Sequence, residues 1–142
     1  MKAKVFIVGF FAVVAVVAAV SIYFSVTTEK ARKSVTALTS PDGKFKAVKV
    51  TLAEGGATPF CVVSISVMLA VYPDEFAQQR KEYEVFSAPC GRFANGESSP
   101  KIEWQSGTAL RISWAAKPGT KSARTKNIDV TKSVHMTFVE RD

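Results

Sequence analysis

Cys61, Cys90 and His135 are the residues of this chain best suited to redox, metal or nucleophilic chemistry, and their number already limits it. There are two cysteines and one histidine in 142 residues. A nucleophilic cysteine needs a base to hold it as thiolate, and no motif links His135 to either cysteine. Zinc needs three or four converging ligands, and no Cys/His cluster exists. His135 alternates with Val134 and Met136, which puts it on a solvated strand face. One even pair of cysteines suits a structural disulfide in an exported domain; two inert buried thiols in a cytosolic domain are the alternative. A Cys61–Cys90 bridge would close a loop of about 30 residues, which stabilises a fold by roughly 3–4 kcal/mol through lost chain entropy.

The remaining polar groupings carry less. The acidic pairs Asp74/Glu75 and Glu82/Glu84 read as helix-start or surface charges. Gly55-Gly56 lies between strands without the Gly-Lys-Ser/Thr ending of a phosphate loop. We therefore expect no catalytic residues, no metal and no cofactor. A basic loop holds Lys117, Lys121, Arg124 and Lys126 with no acid between them. It is a candidate contact for an acidic partner or an anion, against the plainer reading of a solvated connection. Nucleic acid would call for interleaved aromatics, which the loop lacks. Net charge is +7, mildly basic and dispersed.

These residues must be positioned by a β-rich domain. Ser40-Pro41-Asp42-Gly43 has the chemistry of a turn and opens the domain. Phe45 to Leu52 alternates as a strand, with a phase slip at Ala47 and Val48 that would fit a bulge. Cys61 to Tyr72 is the strongest strand. Its face of Val63, Ile65, Val67, Leu69 and Val71 is continuously apolar and predicts core, opposite a face holding Ser64 and Ser66. Pro73-Asp74-Glu75 predicts the start of a short helix to about Glu82, and Tyr83 to Ala88 another strand. Pro89 to Pro100 reads as a loop. Lys101 to Ala115 is a hairpin about Ser106-Gly107, with Ile102 and Trp104 on one face of its first strand and Leu110, Ile112 and Trp114 on one face of its second. A last strand carries Val134, Met136 and Phe138 inward.

The fold expected is thus mostly β: one antiparallel domain over residues 40–142, a sandwich or a curved sheet, with at most one short helix. Before it, residues 27–39 read as a polar stalk. Before that, Lys2 and Lys4 precede an uncharged run from Val5 to Val26, 22 residues long. A bilayer core takes about 20 apolar residues as a helix, so residues 1–26 predict a transmembrane signal anchor. Cleavage after a small-x-small site such as Ala19-Val20-Ser21 is the alternative, and would leave a secreted domain. The apolar run continues past that site, which favours the anchor.

The ordered set SPDGKFKAVKV, GGATPFCVVSISV, EYEVFSAPCG and KIEWQSGTALRISW resembles a group of small membrane-anchored bacterial envelope β domains of unknown function. The resemblance covers residues 40–141 and implies an anchored β domain without implying an activity. Together these features predict a non-catalytic envelope module. It would sit at the cell membrane through residues 5–26, with its C-terminal domain on the outer side. It would bind another envelope or exported protein and no nucleic acid, in an immunity- or inhibitor-type role. A structural or assembly subunit of a membrane-envelope complex is the second reading.

Overall fold

The computed structural model describes residues 32–55, 58–116 and 123–141. The run at residues 5–26 lies outside them. Among the described residues no helix is long and apolar enough to cross a membrane.

The described residues begin with a hairpin. Strands β1 (Arg32–Thr39) and β2 (Phe45–Glu54) pair antiparallel without a break, from Arg32 opposite Ala53 to Thr39 opposite Lys46. The Ser40-Pro41-Asp42-Gly43 turn joins them. The Gly43 amide donates to the Ser40 carbonyl at 2.9 Å, the Ser40 hydroxyl to Asp42 Oδ1 at 2.7 Å and the Phe45 amide to Ser40 Oγ at 3.0 Å. Gly43 takes φ of +73°, a region open to glycine at little cost. Residues 32–39, expected as stalk, are therefore the first strand of the sheet. All eight of its residues are exposed, so no apolar alternation marks it.

Strand β3 (Phe60–Leu69) pairs antiparallel with β2 over ten residues, and β4 (Glu84–Pro89) pairs antiparallel with β3. Strand β5 (Gly91–Arg92) and β6 (Ser98–Ser99) form a small hairpin inside the expected loop. Strands β7 (Lys101–Ser106) and β8 (Ala109–Ala115) make the expected late hairpin, turning at Gly107-Thr108. The short β9 (Arg124–Thr125) returns to pair with β4, and β10 (His135–Arg141) ends the fold. The result is a five-stranded sheet, β1-β2-β3-β4-β9, and a three-stranded sheet, β10-β8-β7. Every pairing between strands is antiparallel except β10 with β8, which is parallel. Among the described residues the domain is thus mostly antiparallel, with one parallel pairing. The chain leaves β8, visits the far edge of the other sheet as β9, and re-enters beside β8 in its original direction.

The two sheets face each other over one core. Phe45, Ala47, Ile65, Val67, Val85 and Phe86 from the larger sheet meet Leu110, Ile112, Val134 and Met136 from the smaller sheet and its approach, with Trp104, Trp114 and Phe138 half-buried against them. Of the alternatives left open, this is the sandwich. The Phe86 ring lies 5.5 Å from that of Trp114 and 6.3 Å from that of Phe138.

The larger sheet is also covered on its outer face, which the alternation in β3 hid. Helix α1 (Phe76–Gln79) and a 3₁₀ turn (Lys81–Tyr83) lie over it. Val48, Val50 and Met68 are buried there with Ala77, flanked by Tyr72, Phe76 and Tyr83. Ser66 is buried in the same layer, its hydroxyl 3.4 Å from the Ala77 carbonyl oxygen. Lys46 is buried on this face too, and its ammonium pairs with Asp74. This explains the phase slip at Ala47 and Val48. Residues 45–48 are all buried because both faces are covered, and the β2 register is unbroken. The irregularities lie elsewhere, at Ile65/Ser66 and at Trp104/Ser106. Val71, expected in the core, is 84% exposed because β3 ends at Leu69 and the chain has already turned.

Candidate binding site

Cys61 and Cys90 are bonded, with Cα atoms 5.3 Å apart. The bridge ties the start of β3 to the residue after β4, where the Cys90 amide already donates to the Cys61 carbonyl at 3.0 Å. Both sulfurs are consumed in a crosslink. His135 is exposed on β10, and its backbone amide donates to Thr108. Among the described residues no group of three or more His, Cys, Asp and Glu side chains is placed to hold a metal. The acidic pairs are distributed among cations: Asp74 with Lys46, Glu82 with Arg80 at 3.4 Å and Glu84 with Arg124 at 3.7 Å.

Of the four basic-loop residues, Lys117 and Lys121 lie outside the described residues. Arg124 and Lys126 sit at the β9 edge of the larger sheet. The Lys126 amide donates to the Val85 carbonyl at 2.8 Å, while the Arg124 side chain is largely in solvent. They border a cleft of about 490 Å³ with Lys81, Glu84 and Phe86. Glu84 offsets Arg124 there, so this edge is less cationic than the sequence alone implies.

A second cleft lies at the opposite edge of the sheet, among residues not singled out as a site in the sequence. Strand β1 ends one sheet and β7 ends the other. Between them runs a groove of about 450 Å³, lined by Thr36, Leu38, Lys49, Glu97, Pro100 and Ile102, among others. The Trp104 indole Nε1 donates to the Leu38 carbonyl at 2.9 Å and bridges the two strands. Antiparallel strands alternate between residues bonded to the partner and residues turned away from it. Ser34 and Thr36 share the parity of Leu38, so their N–H and C=O groups point to the same open edge. Lys49 pairs opposite Thr36 on β2, and among the described residues it makes no ion pair. Its neighbour across the groove, Glu97, is matched by Lys101 at 3.5 Å. Hydrogen bonding from Asn95, then the nearby Lys101 charge, holds the Glu97 carboxyl below its usual range.

Among the described residues the groove therefore offers a row of backbone donors and acceptors that no strand pairs, an apolar lining from Leu38, Pro100 and Ile102, and one cation without an ion pair. An edge of this kind has the chemistry by which an extended polypeptide can add as a strand. A signal for β1 did exist in the sequence: Val35, Thr36 and Thr39 are β-branched and stand just before a strong turn.

No protein-family model matches the chain, and comparison with curated proteins and with solved structures finds no match.

Proposed function

We propose that the protein is a non-catalytic binding module of the bacterial envelope, held at the membrane by residues 5–26, and that it captures an extended segment of another exported protein along β1. The observation that carries this reading is the open β1 edge. Natural edge strands are usually blunted by charge, proline or a covering loop. Residues 34–39 carry no charge and no proline, and all eight residues of β1 are exposed. Adding a strand to such an edge gives affinity through main-chain bonds and specificity through alternate side chains. Lys49 in the groove favours a segment with a carboxylate at the matching position. The anchor is supported by the length of the uncharged run, and the outward orientation by a disulfide, which persists in oxidising compartments.

The test is partner capture from envelope extracts with the detergent-solubilised full chain, against a variant with Thr36→Pro, which removes an edge amide without touching the core. Capture of one stoichiometric exported protein that is lost in Thr36→Pro supports an inhibitor- or immunity-type role. Capture that persists unchanged in Thr36→Pro rules out the β1 edge. Retention only within a large membrane complex favours an assembly subunit instead.

A further inference from the structure

The outer face of the larger sheet is covered by α1 at one end only. At the other end four apolar side chains stand in solvent: Val35 at 40%, Leu52 at 38%, Phe60 at 43% and Val62 at 37% exposed. They are one patch. Leu52 pairs with Val62 and with Lys33; Val35 pairs with Val50, one residue pair along the same face; Phe60 pairs with Glu54, one pair beyond. A contiguous apolar patch on a small domain marks a contact surface.

The path of the chain indicates what meets it. Strand β1 starts at Arg32, opposite Ala53, at this same end of the sheet. Only five residues, Thr27 to Ala31, separate Arg32 from the end of the uncharged run at Val26. Even fully extended, that connection reaches at most about 20 Å. A domain tethered so closely presents this end to the bilayer. The chemistry of the patch agrees: an aromatic ring and aliphatic side chains, with Lys33 on the same face and Arg32 beside it. Aromatic side chains settle at the membrane–water interface, and cations beside them are drawn to anionic headgroups. Glu54 is the carboxylate at the rim.

We propose that Val35, Leu52, Phe60 and Val62 rest on the lipid surface and fix how the domain stands on the membrane. This rests on the anchoring part of the reading above and adds an orientation to it. The β1 groove is then turned sideways, along the membrane, and Val71, in the turn beyond the far end of β3, lies away from it.

The full chain, reconstituted into vesicles of equal parts phosphatidylglycerol and phosphatidylethanolamine, tests this with photoreactive benzoylphenylalanine placed singly at Phe60 and at Val71. Both sites are exposed, so neither replacement disturbs packing. Lipid adducts several-fold more abundant at position 60 than at 71 are the expected result. Hydrogen exchange in the same vesicles should show residues 60–62 slower than in detergent. A chain that inserts but labels lipid equally at both sites, or at neither, overturns the orientation alone. Protein–protein adducts at position 60 overturn it in favour of a self-association surface. A chain that stays in solution overturns the anchor and the orientation together.

Discussion

The indole nitrogen of Trp104 donates to the carbonyl oxygen of Leu38, 2.9 Å away and 66 residues earlier in the chain. It is a side-chain bond between the open edges of the two sheets. Trp104→Phe keeps an aromatic ring against the core and removes the bond, with a smaller loss of ring contact. Unfolding in denaturant should register a loss of about 1 kcal/mol. Hydrogen exchange should quicken in β1 much more than in β3, because β1 loses a tie that β3 does not share. Uniform quickening across the larger sheet would mean that Trp104 serves the whole core and not the edge.

The Cys61–Cys90 bridge spans 29 residues in sequence. By chain entropy its removal costs about 3–4 kcal/mol. Cys61→Ala and Cys90→Ala should be destabilised alike, since either deletes the same crosslink. Non-reducing mass spectrometry of the native protein should give a single linked peptide pair. Two freely alkylated thiols would refute the bond.

Asp129 predicts a pH dependence. Burial pushes its carboxyl up, but hydrogen bonds from Thr131, Val134 and Ser133 together outweigh this and hold it below the usual carboxylate value. The Val134 amide approaches at 2.8 Å and the Ser133 amide at 2.9 Å. A carboxyl whose folded pKa is depressed contributes stability above its unfolded pKa, near about 3.9. That contribution is lost as pH falls through the lower folded value. Asp129→Asn should thus be less stable than the parent by a constant amount at neutral pH. The gap should narrow as the solution is acidified below about pH 4. A gap independent of pH down to full acid unfolding would show that charge plays no part.

Lys46 is 8% exposed and pairs with Asp74 at the start of the helical segment. Asp74→Ala strands a buried ammonium and should cost about 1–3 kcal/mol. Lys46→Met in the same background removes the stranded charge and should recover most of that loss. If the double variant is as unstable as the single one, the segment is held by packing of Phe76 and Ala77 and not by the pair.

Strands β2, β3, β4, β7, β8 and β10 are legible because each carries apolar or β-branched residues at strand spacing. What alternation reports is which residues are buried, not what covers them or which strand lies beside them. Nothing in the sequence marks Ser66 as buried, because a lone hydroxyl opposite an apolar row looks exposed. Its cover, α1, is only four residues long and carries little periodicity of its own. Strand β1 was missed for the opposite reason: it buries nothing, so its order comes from backbone pairing with β2. The parallel placement of β10 was likewise invisible, since a strand's pattern is the same whichever way its neighbour runs. The groove at Leu38 and Lys49 depended on β1, which forms one wall of it. The cysteine pair did not, because its two members stand at the ends of strands that could be read.

Made from its N-terminus, the chain completes β1 to β4 and can close Cys61 onto Cys90 while residues 101–141 are still to come. The smaller sheet cannot finish in that order. Because β10 lies beside β8 and not beyond β7, its slot stays vacant until the last residues are delivered. Ile65, Val67 and Phe86 then wait under a two-stranded flap. A polypeptide stopped at about residue 130 would hold its crosslink and most of its larger sheet, yet expose an apolar seam along β8. Such a product should be prone to clumping. The step that makes this domain safe to release is the arrival of its final strand, not the closing of its disulfide.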